Sequence, residues 1–342
     1  MAPIIAILTI LVVVATSWTL LRYVGGTFLA PDYDGTGQAL VNITVQPGDG
    51  ADDIGATLVK AGVVKSTRAF ANAAKKSGQG DDIQPGVYQV LVHSSAAVTI
   101  GAILDSKNRM VARVTIPEGY TERQVLADLA DTTGNAESEL ADAVSKIDNL
   151  GIPDGFKAKS AEGFLFPSTY NFNAGLSADA VVQALTARFS AVDQQMSFQA
   201  AAKALKLSPY DALIVASMVE SEAKFDEERP KIARVILNRL AMHRALQIDA
   251  TSVYEARLAG QDPAGINYTL DTPYSTRIRK GLPPTPISNP GSQSLEATIH
   301  PAVGPWLFYV RSDGEGHHFF TSDEKAFNAA AVKCHANKWG CS

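Results

Sequence analysis

The stretch Ser208-Pro-Tyr-Asp-Ala-Leu-Ile-Val-Ala-Ser-Met-Val-Glu-Ser-Glu222 is a near-continuous apolar run that ends on two carboxylates, Glu220 and Glu222. Burial disfavours the ionised form of a carboxyl group, and a carboxyl that keeps its proton near neutral pH is what general acid catalysis requires. Ser208 reads as a helix N-cap, Pro209 as the first helical residue, and Asp211 as the residue that completes a capping box. At about 100° per residue, Leu213, Ala216, Ser217 and Glu220 fall on one helix face, beside small residues that leave open space, and Glu222 points roughly the other way. Glu220 is therefore the candidate acid. The competing arrangement is a carboxylate paired with an arginine at a helix end.

The elements that must position this acid follow in order. Lys231–Leu240 is a second helix, apolar at Ile232, Val235, Ile236 and Leu240. Then come Leu246-Gln-Ile-Asp-Ala-Thr-Ser-Val-Tyr254, the loop Gly281-Leu-Pro-Pro-Thr-Pro-Ile-Ser-Asn-Pro-Gly291, and His300-Pro301. This order of motifs resembles the YceG-like family of endolytic murein transglycosylases. The family signature reads as an Ala-Ser-x-Val-Glu-x-Glu helix, an Asn-Arg-Leu helix, a Leu-Gln-x-Asp segment and a Gly-Leu-Pro-Pro loop. The resemblance runs from about Ile43 to Ala330 and is strongest from Glu162 to Thr321.

The resemblance implies a lyase that cuts peptidoglycan glycan strands internally, with Glu220 as the catalytic acid. One group protonates the glycosidic oxygen between MurNAc and GlcNAc. As a carboxylate it then takes the proton of the muramic C6 hydroxyl, which attacks C1 and leaves a 1,6-anhydro ring. The nucleophile is tethered within the sugar, which is a large advantage, and neither a metal nor a cofactor enters. A hydrolytic muramidase would instead need a second carboxylate, at about 5–5.5 Å for retention or about 6.5–9.5 Å for inversion, recruited from Asp249, Glu162 or Glu222. An inactive glycan-binding scaffold of cell-wall assembly is the non-enzymatic alternative. Asn238, Gln247 and Asp249 match family motif positions and carry suitable donors and acceptors for substrate. Tyr254 and Tyr274 are candidate substrate hydrogen-bonders, or else packing residues. His317 sits where the family carries Gly-His-x-Phe and is a candidate cleft residue, although a hairpin histidine is more often simply exposed. Arg239 is expected to pair with Glu222.

Glu162-Gly-Phe-Leu-Phe-Pro-Ser-Thr-Tyr170 condenses three aromatics around Gly163 and Pro167 and matches another family motif. It reads either as core under a loop or as a sugar-facing wall, with Glu162 a possible second acid. The loop from Gly281 to Gly291 holds four prolines. Proline fixes φ, so the loop is stiff and suits a cleft wall. Trp306–Val310, the Asp313-Gly314 turn and His317–Thr321 read as a β-hairpin.

The chain has 342 residues and a net charge of −5, which gives no basic surface for nucleic acid. No HExxH, Gly-x-Ser-x-Gly or P-loop occurs. Pro3–Leu21 is uncharged and about long enough to cross a bilayer core of roughly 30 Å. Trp18 and Tyr23 stand where interfacial aromatics belong, so an uncleaved anchor is favoured over a signal peptide. Arg22, after the span, weakly favours a cytoplasmic C-terminal side. The family resemblance implies the opposite, a single-pass membrane protein with an extracytoplasmic catalytic domain. It also implies peptidoglycan synthases and the elongation machinery as partners, and termination of nascent strands. Cys334 and Cys341 are the only cysteines. A disulfide between them is favoured in an oxidising compartment, with free thiols or a zinc site that adds His335 as alternatives.

Residues 25–40 form a linker. Val41–Val45 reads as a strand, Ala51–Ala61 and Thr67–Lys76 as helices, Pro85–Val92 as a strand and Val98–Leu104 as a helix. Strand, Pro-Gly turn and helix repeat weakly at Ala112–Gln124, where Thr121 and Gln124 form a capping box. Residues 131–160 read as polar and helical in pieces, and Ser177–Ser190 and Ser197–Leu205 as helices. The expected fold class is α+β: an anchor over 1–24, the linker, a small module over 41–108 that resembles LysM glycan-binding domains, and a larger mixed catalytic domain over 109–342.

Overall fold

The computed structural model describes residues 16–17 and 30–341. Most of the expected anchor, with the first part of the linker, lies outside the described residues. Among the described residues no helix is long and apolar enough to cross a membrane. The fold is mixed α+β, and the chain divides into two compact units: one runs to Ala112 and includes Asn173–Gly175, and the other holds 113–172 and everything from Leu176 on.

The first unit runs β1 (Leu40–Val45), α1 (Ala51–Lys60), α2 (Thr67–Ser77), β2 (Gly86–Leu91), α3 (Ala96–Leu104) and the start of β3 (Arg109–Thr115). β1 and β2 pair antiparallel from Leu40↔Leu91 to Val45↔Gly86. Alternation sends Ile43, Val45, Tyr88 and Val90 inward, where they pack with Ile54, Leu58, Phe70 and Ile100. The Ser66 hydroxyl caps α2 by accepting the Ala69 N–H at 3.2 Å.

The second unit carries the rest of β3 beside β4 (Thr169–Asn173), with the Ile116 N–H donating to the Ser168 carbonyl at 2.9 Å. The helices α4 (Glu122–Thr133), α5 (Glu137–Ser145), α6 (Ala178–Met196), α7 (Phe198–Ala204), α8 (Pro209–Glu222), α9 (Arg229–Ala241), α10 (Asp249–Leu258) and α11 (Ser292–Ile299) follow. The hairpin β5 (Phe308–Arg311) and β6 (His318–Thr321) and then α12 (Glu324–Ala336) close the chain. The expected capping box forms at Thr121 and Gln124. At Ser208 the hydroxyl accepts the Asp211 N–H at 3.0 Å and donates to the Asp211 carboxylate at 2.7 Å. The carboxylate thus takes the hydroxyl rather than the backbone N–H that a full box requires.

α8 is the core helix of this unit. From Ala212 to Val219 every side chain is buried, so that stretch has no solvent face. Leu213, Ile214, Met218 and Val219 pack with Ile232 and Ile236 of α9 and Leu295 of α11. The segment after Glu162 is core as well: Phe164 and Leu165 are fully buried and Phe166 nearly so. Phe164 meets Phe156 and Phe189 edge-on at 5.3 and 5.0 Å. The sugar-facing wall foreseen for this stretch is therefore corrected; apolar rings this close to one another exclude a saccharide. Cys334 and Cys341 are disulfide-bonded, with Cα atoms 6.1 Å apart.

Gly163 makes this core possible. Its φ is +91°, and a Cβ there would meet Pro286 at 2.7 Å and Leu213 at 3.1 Å. Gly163→Ala is expected to lower the stability of this unit by about 1–3 kcal/mol, measured as a shift of its denaturant midpoint at unchanged slope.

Candidate active site

Three helix ends converge on Glu220. It sits in the last turn of α8, and its Oε1 lies 3.1 Å from the Nη1 of Arg229, the first residue of α9. Its Oε2 accepts the N–H of Gly291, the N-cap of α11, at 3.0 Å. The Glu220 and Arg229 side chains are only 6% and 8% exposed. The unpaired acid foreseen from the sequence is thus corrected to one of a buried ion pair. Arg229 is itself held by Asp226 at 2.9 Å and by the Ser294 hydroxyl at 2.5 Å. No local pattern in the sequence ties Arg229 to Glu220.

Glu220 borders a cleft of ≈ 510 Å³. Glu220, Ser221 and Glu222 line it from α8, Tyr254 from α10, and Tyr309 and His318 from the hairpin. Glu222 thus lines the same cleft as Glu220, although the wheel sends it roughly the other way. Glu222 accepts the Tyr309 hydroxyl at 3.0 Å. Burial raises its carboxyl above the usual range, against the lowering effect of that hydrogen bond. Arg239, expected as its partner, instead donates to the carbonyls of Leu307 and Leu246 at 2.6 and 2.7 Å.

Two further groups stand beside Glu220. A Cβ on Gly291 would fall within 1.9 Å of the Glu118 carboxylate, so that side chain lies across Gly291. Burial raises Glu118 first and Glu220 second, while Arg229 pulls the other way. The fully buried side chain of Asn289 fastens the rim. Its Oδ1 accepts the N–H groups of Gly163 and Leu165, both at 2.9 Å. Its Nδ2 donates to Tyr120 O at 2.9 Å and to Glu162 Oε1 at 3.1 Å. The proline-rich loop is also stapled to α8, since the Ser217 hydroxyl accepts the Ile287 N–H at 3.0 Å.

The other sequence candidates scatter. Asn238 does not line the cleft; its amide ties α9 to the carbonyls of Gly304 and Trp306 at 3.1 and 2.9 Å. Gln247 is exposed, has φ +57°, and accepts from Arg239 at 2.9 Å. Asp249 is held by Arg277 through two contacts of 2.5 and 2.8 Å. Tyr254 lines the cleft but gives its hydroxyl to Glu162 at 3.0 Å. Tyr274 lines an adjoining cavity of ≈ 260 Å³ and pairs with the Thr285 hydroxyl at 2.8 Å. His317 lies in the hairpin turn, stacked on Phe225 at 4.0 Å, and Asp313 holds it above the usual histidine range. It is the next residue, His318, that lines the cleft.

Glu162 is 2% exposed and borders the smaller cavity beside Tyr274 rather than the cleft of Glu220. Its two oxygens accept the Glu122 N–H at the start of α4, at 2.9 and 3.0 Å, together with Tyr254 and Asn289. Burial pushes its carboxyl up to about 8, reinforced by nearby Glu122 and opposed by its N–H and hydroxyl donors. A carboxyl raised from 4.5 to about 8 binds a proton in the folded state that the unfolded chain releases. Folding stability should therefore fall as pH rises through that window and level off above it. Glu162→Gln is expected to flatten this slope in melting temperatures recorded from pH 5 to 9; an unchanged slope assigns the dependence to another group.

The YceG-like family profile matches residues 43–333. A Bacillus subtilis protein named endolytic murein transglycosylase is 28% identical over 338 residues, covering 92% of each chain. A Streptococcus pneumoniae protein of the same name is 27% identical over 322 residues; the match covers 85% of this chain and 58% of that longer one. A 2.6 Å crystal structure of a YceG-like protein from Listeria monocytogenes shares the fold, with a TM-score of 0.57 at 23% identity, covering 85% of this chain and 98% of that one. The motif order from α8 to the hairpin and the profile match over most of the chain lead to one conclusion: this protein belongs to the YceG-like family.

Proposed function

We propose that this chain is an endolytic lytic transglycosylase of peptidoglycan, with Glu220 as the acid and then the base. The observation that carries the reading is Glu220, held by Arg229 and the Gly291 N–H, at the border of a cleft large enough for saccharide units. Relatives that cover most of the chain bear the name of that activity.

The chemistry needs one group in two protonation states. Protonated Glu220 gives its hydrogen to the glycosidic oxygen as the bond to C1 breaks. The muramic C6 hydroxyl adds to C1, and its proton returns to Glu220, which restores the starting state. Each carboxylate oxygen has a second acceptor site, so the proton can reside on Glu220 without displacing Arg229 or Gly291. Once the proton is given away, Arg229 and the Gly291 N–H stabilise the carboxylate that must act as base. The finer parts of the reading rest on the apolar stretch Pro3–Leu21, which anchors the protein, and on the family resemblance, by which the catalytic unit faces the cell wall, nascent strands and their synthases are its setting, and the first unit is LysM-like.

A specific observation favours a second reading. Glu118 stands close enough to Glu220 for the two carboxylates to influence each other, as in hydrolases that activate water. Product mass separates the two. The expected products from purified sacculi carry anhydro ends, lighter by one water than reducing ends, and Glu220→Gln lowers their release by at least about 100-fold. Reducing ends would establish the hydrolase. Undiminished release by Glu220→Gln, or no release by the parent chain, would remove the catalytic assignment.

A further inference from the structure

The Glu228-Arg229 dipeptide at the start of α9 grips two cleft residues at once. Arg229 takes Glu220. Its neighbour Glu228, the N-cap of α9, takes His318 of β6: Oε1 accepts the His318 backbone N–H and Oε2 meets the ring Nδ1, both at 2.7 Å. The two side chains are only 8% and 7% exposed. The Tyr309 ring stands edge-on to the imidazole at 5.3 Å and fixes its plane. A carboxylate only accepts hydrogen bonds, so Nδ1 carries a ring proton, and in the neutral ring Nε2 is left with a lone pair. Among the described residues nothing hydrogen-bonds to Nε2, although His318 lines the cleft. Nε2 is not among the buried polar atoms that lack a partner, so it is open on the cleft side, where a ligand can meet it, and a carboxylate on the other ring nitrogen is the arrangement that fixes a tautomer.

We infer that His318 is a further substrate-contacting residue, whose Nε2 accepts a hydrogen bond from a saccharide hydroxyl or acetamido N–H, and that Glu228 is its positioning residue. The inference rests on the glycan-cleaving reading for the identity of the ligand. It does not assign His318 a proton-transfer step. The packing around the pair explains why His318, and not His317, has this role. Antiparallel pairing with Arg311 places His318 within the strand, whereas His317 stays in the turn with Asp313.

The test uses the full chain carrying Glu220→Gln, to stop turnover, and a tetrasaccharide of alternating N-acetylglucosamine and N-acetylmuramic acid. Nitrogen NMR of the histidine rings is expected to show His318 protonated on Nδ1 and bare on Nε2, with the Nε2 resonance moving as the tetrasaccharide is added. Glu228→Gln can turn its amide N–H toward Nδ1, which moves the ring proton to Nε2. It should weaken tetrasaccharide binding about tenfold with the imidazole still present, an effect that packing alone does not produce. His318→Ala should weaken binding by a similar factor, and His318→Gln, whose side-chain oxygen can accept, should recover part of it. An unmoved ring resonance at saturating tetrasaccharide, binding by His318→Ala within about twofold of the parent, or no binding by the parent chain would each overturn the inference. The ring resonance decides the matter if the alanine variant fails to fold. Loss of the transglycosylase reading shows up separately, as the absence of anhydro ends from the chain with Glu220 intact.

Discussion

A carboxylate in the last turn of a helix faces the negative end of the helix dipole, which disfavours it by about 0.3–1 kcal/mol in exposed settings. Burying it adds a desolvation cost of several kcal/mol. Glu220 meets both penalties. It stays in place because two other helices begin beside it: α9 supplies the Arg229 guanidinium, and α11 the Gly291 N–H at its positive end. Remove either helix start and the carboxylate loses its compensation. The packing of α8, α9 and α11 around Leu213, Ile232 and Leu295 is therefore a condition of the chemistry as well as of stability.

The same logic places the surrounding groups. Asn289 satisfies four partners at once and joins the loop before α11 to Tyr120 and to the Glu162 segment. Glu162 in turn receives Tyr254 from α10. A chain of buried hydrogen bonds thus runs from α4 through the 162–165 turn to α10. Such networks are rigid when fully satisfied and costly when broken. The cleft side of Tyr254 is held by a hydroxyl that points away from the cleft, so what it offers a ligand there is its ring.

Locally encoded features could be read from the sequence. Ser208 and Pro209 start α8, Thr121 and Gln124 cap α4, and the alternation at Phe308–Arg311 and His318–Thr321 gives the hairpin, because each signal spans only a few residues. Two elements went unread although a signal was present. Asp323 caps α12 through the Lys325 N–H, and Gly291 opens α11 after the proline-rich loop. What could not be read was which partners meet across the fold. Arg229 lies nine residues beyond Glu220 and Asn289 far downstream, and only the packing of α8 against its neighbours brings them together. Asn238, Gln247 and Asp249 had suitable chemistry, but their polar atoms hold α9, the turn before α10 and Arg277. Donor and acceptor types in a sequence do not say whether backbone or substrate will claim them.

One lip of the cleft is made by the chain's last residues. Gly340 and Cys341 border the cleft, Trp339 offers its carbonyl to Arg311, and Cys334 sits fully buried inside α12. A disulfide joins that end to α12, and the Trp339 N–H donates to the Cys334 carbonyl at 3.2 Å. A cross-link of this kind is kept in an oxidising compartment, so in a reducing one that lip would rest on the Trp339 hydrogen bonds alone.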